Sequence, residues 1–265
     1  MKNITAVLTA ILLIAALVTG CGAPQSGDTE KNPEKKLIVF AAASMKETLT
    51  EIGQAYGIEH SDIELVFNFD SSGTLKTQIL EGAVCDVFVS AGQSQMDAIE
   101  VLQGSRFDIL ENKVCLSVPE GNPADLHSFL DLKRALENDD ILLCLGNADV
   151  PVGQYSVQIL DFLGLDEAAL TKAGRITYAS NVKEIVSHVS EQIVDCGLIY
   201  TTDAAAAGLA VIDIAPPESC DPIVYPAGVP ASSLLQEEAL AFLEYLKGDT
   251  ASAIFRAAGF TPLGD

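Results

Sequence analysis

The sequence predicts an α/β protein whose parallel sheets are covered by helices. Three observations lead there. Short β-branched runs recur along the chain, stretches of helical periodicity separate most of them, and 49% of the 265 residues are hydrophobic, ample for a packed core. A chain this apolar is globular rather than disordered, and its length suits one large domain or two of ordinary size.

The elements follow in chain order. Residues 1–20 carry a single charge, Lys2, ahead of an apolar run from Ala6 to Val18. That run falls short of the ~20 apolar residues needed to cross a ~30 Å hydrocarbon core, and it reads as a secretory signal peptide. Val18-Thr19-Gly20-Cys21 resembles the bacterial lipobox, which implies cleavage before Cys21 and lipidation of its sulfur. Residues 21–36 would then be the lipidated Cys21 and a flexible tether of Gly, Pro, Ser and charged residues, with too little apolar surface to offset the entropy of ordering. Strands are predicted at residues 37–41, 63–67, 86–90, 113–118, 141–145, 197–200 and 210–214.

Chemistry is expected where strands hand over to helices, because ligands of open α/β sheets sit outside the carboxyl ends of the strands. At the first such junction Ser44 and Glu47 have capping-box spacing, and Leu49, Ile52 and Tyr56 continue an apolar face. The second is Asp70-Ser71-Ser72-Gly73-Thr74-Leu75-Lys76, with Leu75, Ile79 and Leu80 as its buried face. The third runs from Gly146 to Tyr155 with Pro151 near the helix start; Tyr155, Ile159 and Phe162 recur before Gly164 stops the helix. The fourth, Asn181-Val182-Lys183-Glu184, is a second capping box, continued by Ile185, Val186, Val189 and Ile193. Each helix start offers unpaired N–H groups and about half a positive charge, so several meeting in one cleft would hold a small anion with neutral dipoles alone. For any single junction, plain capping for stability is the stronger reading.

Asp and Glu number 37 against 15 Lys and Arg, a formal net charge of −22. That argues against nucleic acid as a partner, since phosphate binding is driven by Lys and Arg. It also removes long-range steering of an anion, although net charge describes the surface and not a local site. Beyond Cys21 the chain has Cys85, Cys115, Cys144, Cys196 and Cys220. An odd number cannot all pair within one chain, and they read as small buried hydrophobes. No zinc-spaced Cys/His cluster occurs, so no metal site is expected. There is no G-x-S-x-G, H-E-x-x-H or Gly-rich phosphate loop, and His60, His127 and His188 have no motif around them, so no enzyme activity is expected. Arg106, Arg134, Arg175 and Arg256 lie outside the four junctions, which argues against an organic acid held by an Arg fork. Lys46, Lys76 and Lys183 lie near helix starts, a poor place for a cation, and are expected to face solvent.

Val39-Phe40-Ala41-Ala42-Ala43-Ser44, Phe69-Asp70-Ser71-Ser72-Gly73-Thr74-Leu75 and Asp86-Val87-Phe88-Val89-Ser90-Ala91 resemble the opening of bacterial molybdate-binding proteins, the extracytoplasmic solute receptors of ABC transporters. Val150-Pro151-Val152-Gly153-Gln154-Tyr155 is similar to that family's V-P-A-G-x-Y turn, and Gly197-Leu198-Ile199-Tyr200-Thr201-Thr202-Asp203-Ala204 to its G-I-V-Y-x-[ST]-D-A segment. Ile254-Phe255-Arg256 with Gly259-Phe260 resembles its C-terminal helix and tail. The similarity runs from about Lys36 to the end of the chain.

The resemblance implies a ligand, molybdate or tungstate, and no cofactor. Ser44 and Ser72 would donate hydroxyl and backbone N–H groups, Val152 and Val182 a backbone N–H each, and Tyr200 its phenol. Such donors suit a fully deprotonated tetrahedral dianion, which only accepts; the proton of monohydrogen phosphate would be buried unpaired at about 1–3 kcal/mol. Sulfate must be excluded by cavity size. Val152 replaces the family's usual Ala, and Asp70 stands where a small residue is common; Asp70 is expected to point outward or cap a local turn. The implied fold is two-lobed and periplasmic-binding-protein-like (type 2), each lobe a mostly parallel sheet flanked by helices with the ligand cleft between them. Lobe one would comprise residues 37–118 and 222–265, with a return strand near Ile223, and lobe two residues 119–221. The implied partners are a small inorganic oxyanion, the permease subunits of an ABC transporter, and the membrane through the lipid anchor on its extracytoplasmic face, with the receptor a monomer. The alternatives are a receptor for another oxyanion (tungstate-selective, sulfate or phosphate) and a serine hydrolase.

Overall fold

The computed structural model describes residues 35–138 and 141–263. The expected leader, the lipidation site Cys21 and most of the tether lie outside the described residues. The fold begins two residues before the expected start of the first lobe at residue 37, because Lys35 and Lys36 already pair with Ile63 and Glu64.

The first half of the chain alternates β1 (Lys35–Ala42), α1 (Lys46–Glu59), β2 (Ile63–Asp70), α2 (Ser72–Leu80), β3 (Val87–Val89), α3 (Gln93–Asp97) and β4 (Phe107–Asn112). The middle holds β5 (Val114–Val118), α4 (Phe129–Glu137), β6 (Leu143–Gly146), α5 (Pro151–Phe162), α6 (Glu167–Lys172), β7 (Ile176–Ala179), α7 (Val182–Ser190), β8 (Cys196–Tyr200), α8 (Thr201–Ala207) and β9 (Ala210–Ile214). The chain ends in β10 (Ile223–Gly228), α9 (Gln236–Lys247), α10 (Asp249–Ala257) and β11 (Thr261–Pro262).

Among the described residues these strands form two sheets, in the orders β11-β4-β10-β3-β1-β2 and β7-β6-β8-β5-β9. Each sheet with its helices is one lobe. Helices cover the sheets because the strand faces are apolar: Leu37, Val39, Val87, Leu143, Leu145 and Leu198 are fully buried, and burying such a side chain contributes about 1.5–3 kcal/mol.

The sheets are mixed rather than mostly parallel. In each, three strands joined through helices run parallel, β2-β1-β3 and β7-β6-β8. The strands that carry the chain between the lobes pair antiparallel: β10 with β3 and β4, and β5 with β8 and β9. A right-handed helical crossover makes neighbours parallel, and the inter-lobe strands have none. The crossing point also differs from expectation. Val114–Val118 pairs with β8 and β9, so the chain leaves the first sheet at Lys113, before and not at Pro119. It returns within residues 215–222.

Strands β4 and β7 were not predicted; Phe107–Asn112 and Ile176–Ala179 interleave polar residues that dilute the apolar signal. Three residues expected on buried faces are exposed: Leu80, Phe162 and Ile193. Leu80 and Phe162 are the last residues of their helices, and Ile193 lies beyond the end of α7.

Candidate functional site

The carboxyl ends of the strands from both sheets meet helix starts in one place. Ala42 leads into a 3₁₀ turn, Ala43–Met45, before α1. Ser71 caps α2, its Oγ accepting from Thr74 N–H at 3.1 Å. Val150 precedes α5, with Pro151 in its first turn. Asn181 caps α7, its Oδ1 accepting from Glu184 N–H at 3.1 Å. These segments line a small cavity between the lobes, about 10 Å³ in volume. Ser44 and Ser72 line it from the first lobe, Val152, Val182 and Tyr200 from the second, so all five sequence-predicted residues are brought together. Every lining residue is uncharged. A larger cavity of about 370 Å³ is lined by the two lobe-crossing segments and contains none of the five. Among the described residues no cluster of His, Cys, Asp and Glu could hold a metal ion.

The polar groups on the cavity differ in their partners. Ser72 Oγ accepts from Ala91 N–H at 2.9 Å, which leaves its own proton for the cavity. Ser44 Oγ lies 3.0 Å from the Tyr225 hydroxyl. Val182 is the first residue of α7 and Val152 the second of α5, positions whose N–H groups have no partner within the helix. The Tyr200 hydroxyl is buried with no hydrogen-bond partner. Burial, with the neighbouring Tyr225 and Tyr155 phenols and Asp203, pushes the Tyr200 pKa well above its ordinary value, so the group stays protonated. A buried hydroxyl without a partner is costly, about 1–3 kcal/mol, unless a ligand accepts from it.

Three local expectations are corrected. Ser44 does not cap α1: the 3₁₀ turn moves the helix start to Lys46, whose N-cap Met45 makes no side-chain bond, and Ser44 turns inward to Tyr225. In the fourth junction Glu184 accepts from Ser180 N–H at 2.6 Å rather than from the N-cap amide, so the box closes one residue early. Lys183 does not face solvent. It pairs with Glu47 of the first lobe at 2.7 Å and Asp203 of its own at 2.9 Å. Burial works to lower the Lys183 pKa, and the two carboxylates outweigh it, so the value is raised. Burial raises Asp203 to about 6 against the pull of Lys183. Asp70 caps locally, accepting from Ser71 N–H at 2.7 Å and from Asn181 Nδ2 of the other lobe at 3.4 Å, and it does not line the cavity.

The lobes touch closely around this site. A Cβ on Gly73 would lie 2.1 Å from the Asp149 carbonyl oxygen across the cleft, so only glycine permits this approach. Gln95 Nε2 donates to Gln154 Oε1 at 3.2 Å, also between lobes. Sequence reasoning missed Gly73, Tyr225 and Asn112 as parts of the site's surroundings. Their roles depend on partners far away in the chain, and no local pattern carries that signal. The described cysteines are all unpaired, and burial pushes Cys85, Cys115 and Cys144 up to about 12, which leaves them inert thiols.

Two sheet-and-helix lobes, joined by two crossings and closing on a small donor-lined cavity, define a two-lobed solute receptor. The chain belongs to the bacterial extracellular solute-binding protein family, whose model matches residues 37–261. It is 33% identical over 262 residues to YvgL of Bacillus subtilis, provisionally named an ABC transporter substrate-binding lipoprotein, covering 97% of this chain and 96% of the relative. It is 30% identical to the molybdate-binding protein ModA of Escherichia coli, covering 86% and 90% respectively. The solved periplasmic molybdate-binding protein of Azotobacter vinelandii superposes with a TM-score of 0.74 at 26% identity, over 85% of this chain and 98% of that one. These relatives are solute-binding proteins, and the family places this chain outside the cytoplasm.

Proposed function

We propose that this chain is the molybdate receptor of a bacterial ABC importer. The observation that carries this reading is the Tyr200 hydroxyl, buried without a partner on a cavity whose other walls are uncharged and rich in donors. A tetrahedral dianion that only accepts matches such a site. Ser44 and Ser72 would bind through hydroxyls, Val152 and Val182 through backbone N–H groups, and Tyr200 through its phenol. Each hydrogen bond to the charged ligand is worth about 1.5–3 kcal/mol. The dianion is stabilised by helix-start dipoles instead of a counter-cation, so it need not be stripped from a buried salt bridge on release. Tungstate, with nearly the same size and charge, would bind as well.

Ligand contributes to closure because only the closed arrangement offers donors from both lobes at once. One lobe comprises residues 35–113 and about 222–263, and the other the described residues between. The closed receptor would dock as a monomer on a membrane permease, tethered through a lipid on Cys21; the lipoprotein name of the Bacillus relative supports that anchor. Titration calorimetry of the chain from Cys21 onward with molybdate, tungstate, sulfate and phosphate tests the reading. Molybdate and tungstate should bind far more tightly than the other two. Failure of both to bind would overturn it.

A further inference from the structure

Resting on the reading of the cavity as a site for an unprotonated tetrahedral dianion, the structure assigns discrimination against protonated anions to two residues that do not touch the ligand. We infer that Asn112 and Tyr225 set the direction of the Ser44 proton. Asn112 is the last residue of β4, beside the Lys113 crossing. Its Oδ1 accepts from Lys113 N–H at 2.8 Å and from Thr201 Oγ1 at 3.2 Å. A backbone N–H can only donate, so the amide cannot be turned over. Asn112 Nδ2 therefore faces Thr202 Oγ1 at 2.9 Å and the Tyr225 hydroxyl at 3.3 Å, donating to both. Tyr225 is fully buried and holds one proton. Its remaining hydrogen-bond partner is Ser44 Oγ at 3.0 Å, so that proton goes to Ser44, and the Ser44 proton is left to point at the ligand.

The reverse orientation would let Ser44 accept a proton from an anion such as monohydrogen phosphate. It would also turn the Tyr225 proton away from the Ser44 oxygen at 3.0 Å towards the neighbouring Tyr200 phenol, which makes no hydrogen bond in this arrangement, and that is unfavourable. The relay Asn112 to Tyr225 to Ser44 thus keeps the first lobe donor-only at this serine. At Ser72 the Ala91 backbone N–H does the same directly.

Asn112→Asp replaces the donor facing Tyr225 with an acceptor and should reverse the relay. The Tyr225 proton would turn to the new carboxylate, Ser44 would donate to Tyr225, and its lone pair would face the cavity. Molybdate, sulfate and monohydrogen phosphate are all dianions, so the added charge cancels in ratios between them. Calorimetry at mildly alkaline pH should show the preference for molybdate over inorganic phosphate falling by about fivefold to a hundredfold in Asn112→Asp, with the preference over sulfate unchanged. Tyr225→Phe removes the group that donates to Ser44 and leaves the Ser44 hydroxyl free to turn either way, so the phosphate ratio should fall by less than in Asn112→Asp, and adding Asn112→Asp to Tyr225→Phe should lower it no further. A phosphate ratio equal to wild type in Asn112→Asp, or phosphate and sulfate ratios falling together, would overturn the inference while leaving the molybdate reading intact. Absence of molybdate binding by the wild type would overturn both. Neutron diffraction of the wild type with molybdate gives a second measurement that needs no variant: the Tyr225 deuteron should lie towards Ser44, and a Ser44 deuteron directed at Tyr225 would contradict the relay.

Discussion

The two lobes build their halves of the cavity from different chemistry. The first contributes Ser44 and Ser72, whose hydroxyls rotate and must be oriented by Tyr225 and by Ala91 N–H. The second contributes Val152 and Val182 at the starts of α5 and α7, whose backbone donors are fixed by the helix itself, together with the Tyr200 phenol. Side-chain donors depend on residue identity and on their neighbours, and backbone donors depend only on the helix being there. On the proposed reading, the first half of the site should therefore be sensitive to substitution at the residues that would contact the ligand, and the backbone part of the second should not. That difference also explains how a bulky Val side chain can stand at position 152, since its backbone N–H is the donor.

The largest effect should come from preventing the halves from meeting. Gly73→Ala places a Cβ 2.1 Å from the Asp149 carbonyl oxygen, so the lobes cannot reach their observed approach and the second lobe's donors are withdrawn. Molybdate affinity measured by calorimetry should fall by about 100-fold or more with the melting temperature little changed. Next, Ser72→Ala removes one charged-ligand hydrogen bond and should weaken binding roughly tenfold to 150-fold. Smallest, Val152→Ala retains the donor and loses only methyl packing, so affinity should stay within roughly fivefold of wild type. Equal losses in Ser72→Ala and Val152→Ala would erase the contrast between the lobes.

Much of this was legible because it is local. The capping residue Asn181, the helix-starting Pro151 and the Ser-rich turn at 70–72 sit within a few residues of the groups they serve, and helix starts announce themselves in sequence. What was not legible is held together over long separations. Ser44 has capping-box spacing with Glu47, yet its partner is Tyr225, and Glu47 turns to Lys183. Lys183 beside a helix dipole looked like a solvent-facing cation, and only the fold shows two carboxylates closing around it. The crossing at Lys113 was hidden because β4 and β5 are separated by a single residue, and an apolar run does not reveal which sheet it joins. Exposure at Leu80 and Phe162 was likewise unreadable, since periodicity fixes a helix face but not where along it burial stops.

The Lys183–Glu47 pair spans the cleft beside the cavity, not within it. Glu47 is half-exposed, and an ion pair of this kind contributes about 0–1 kcal/mol, a small addition to closure beside the donors themselves. Burial works to raise the Glu47 pKa, and the hydrogen bond and charge of Lys183 outweigh it, so the value lies below the ordinary range; the pair stays ionised at neutral pH.

The central claim is that neutral donors from both lobes, and no cation, hold a tetrahedral dianion. A crystal structure of the chain grown with molybdate tests it most directly, since anomalous scattering locates molybdenum without ambiguity. The account predicts one molybdate in the cavity, with its oxygens in hydrogen-bond reach of Ser44 Oγ, Ser72 Oγ, the Val152 and Val182 amides and Tyr200 Oη. Molybdenum bound elsewhere, or an anion in contact with Lys183 or another cationic side chain, would contradict it.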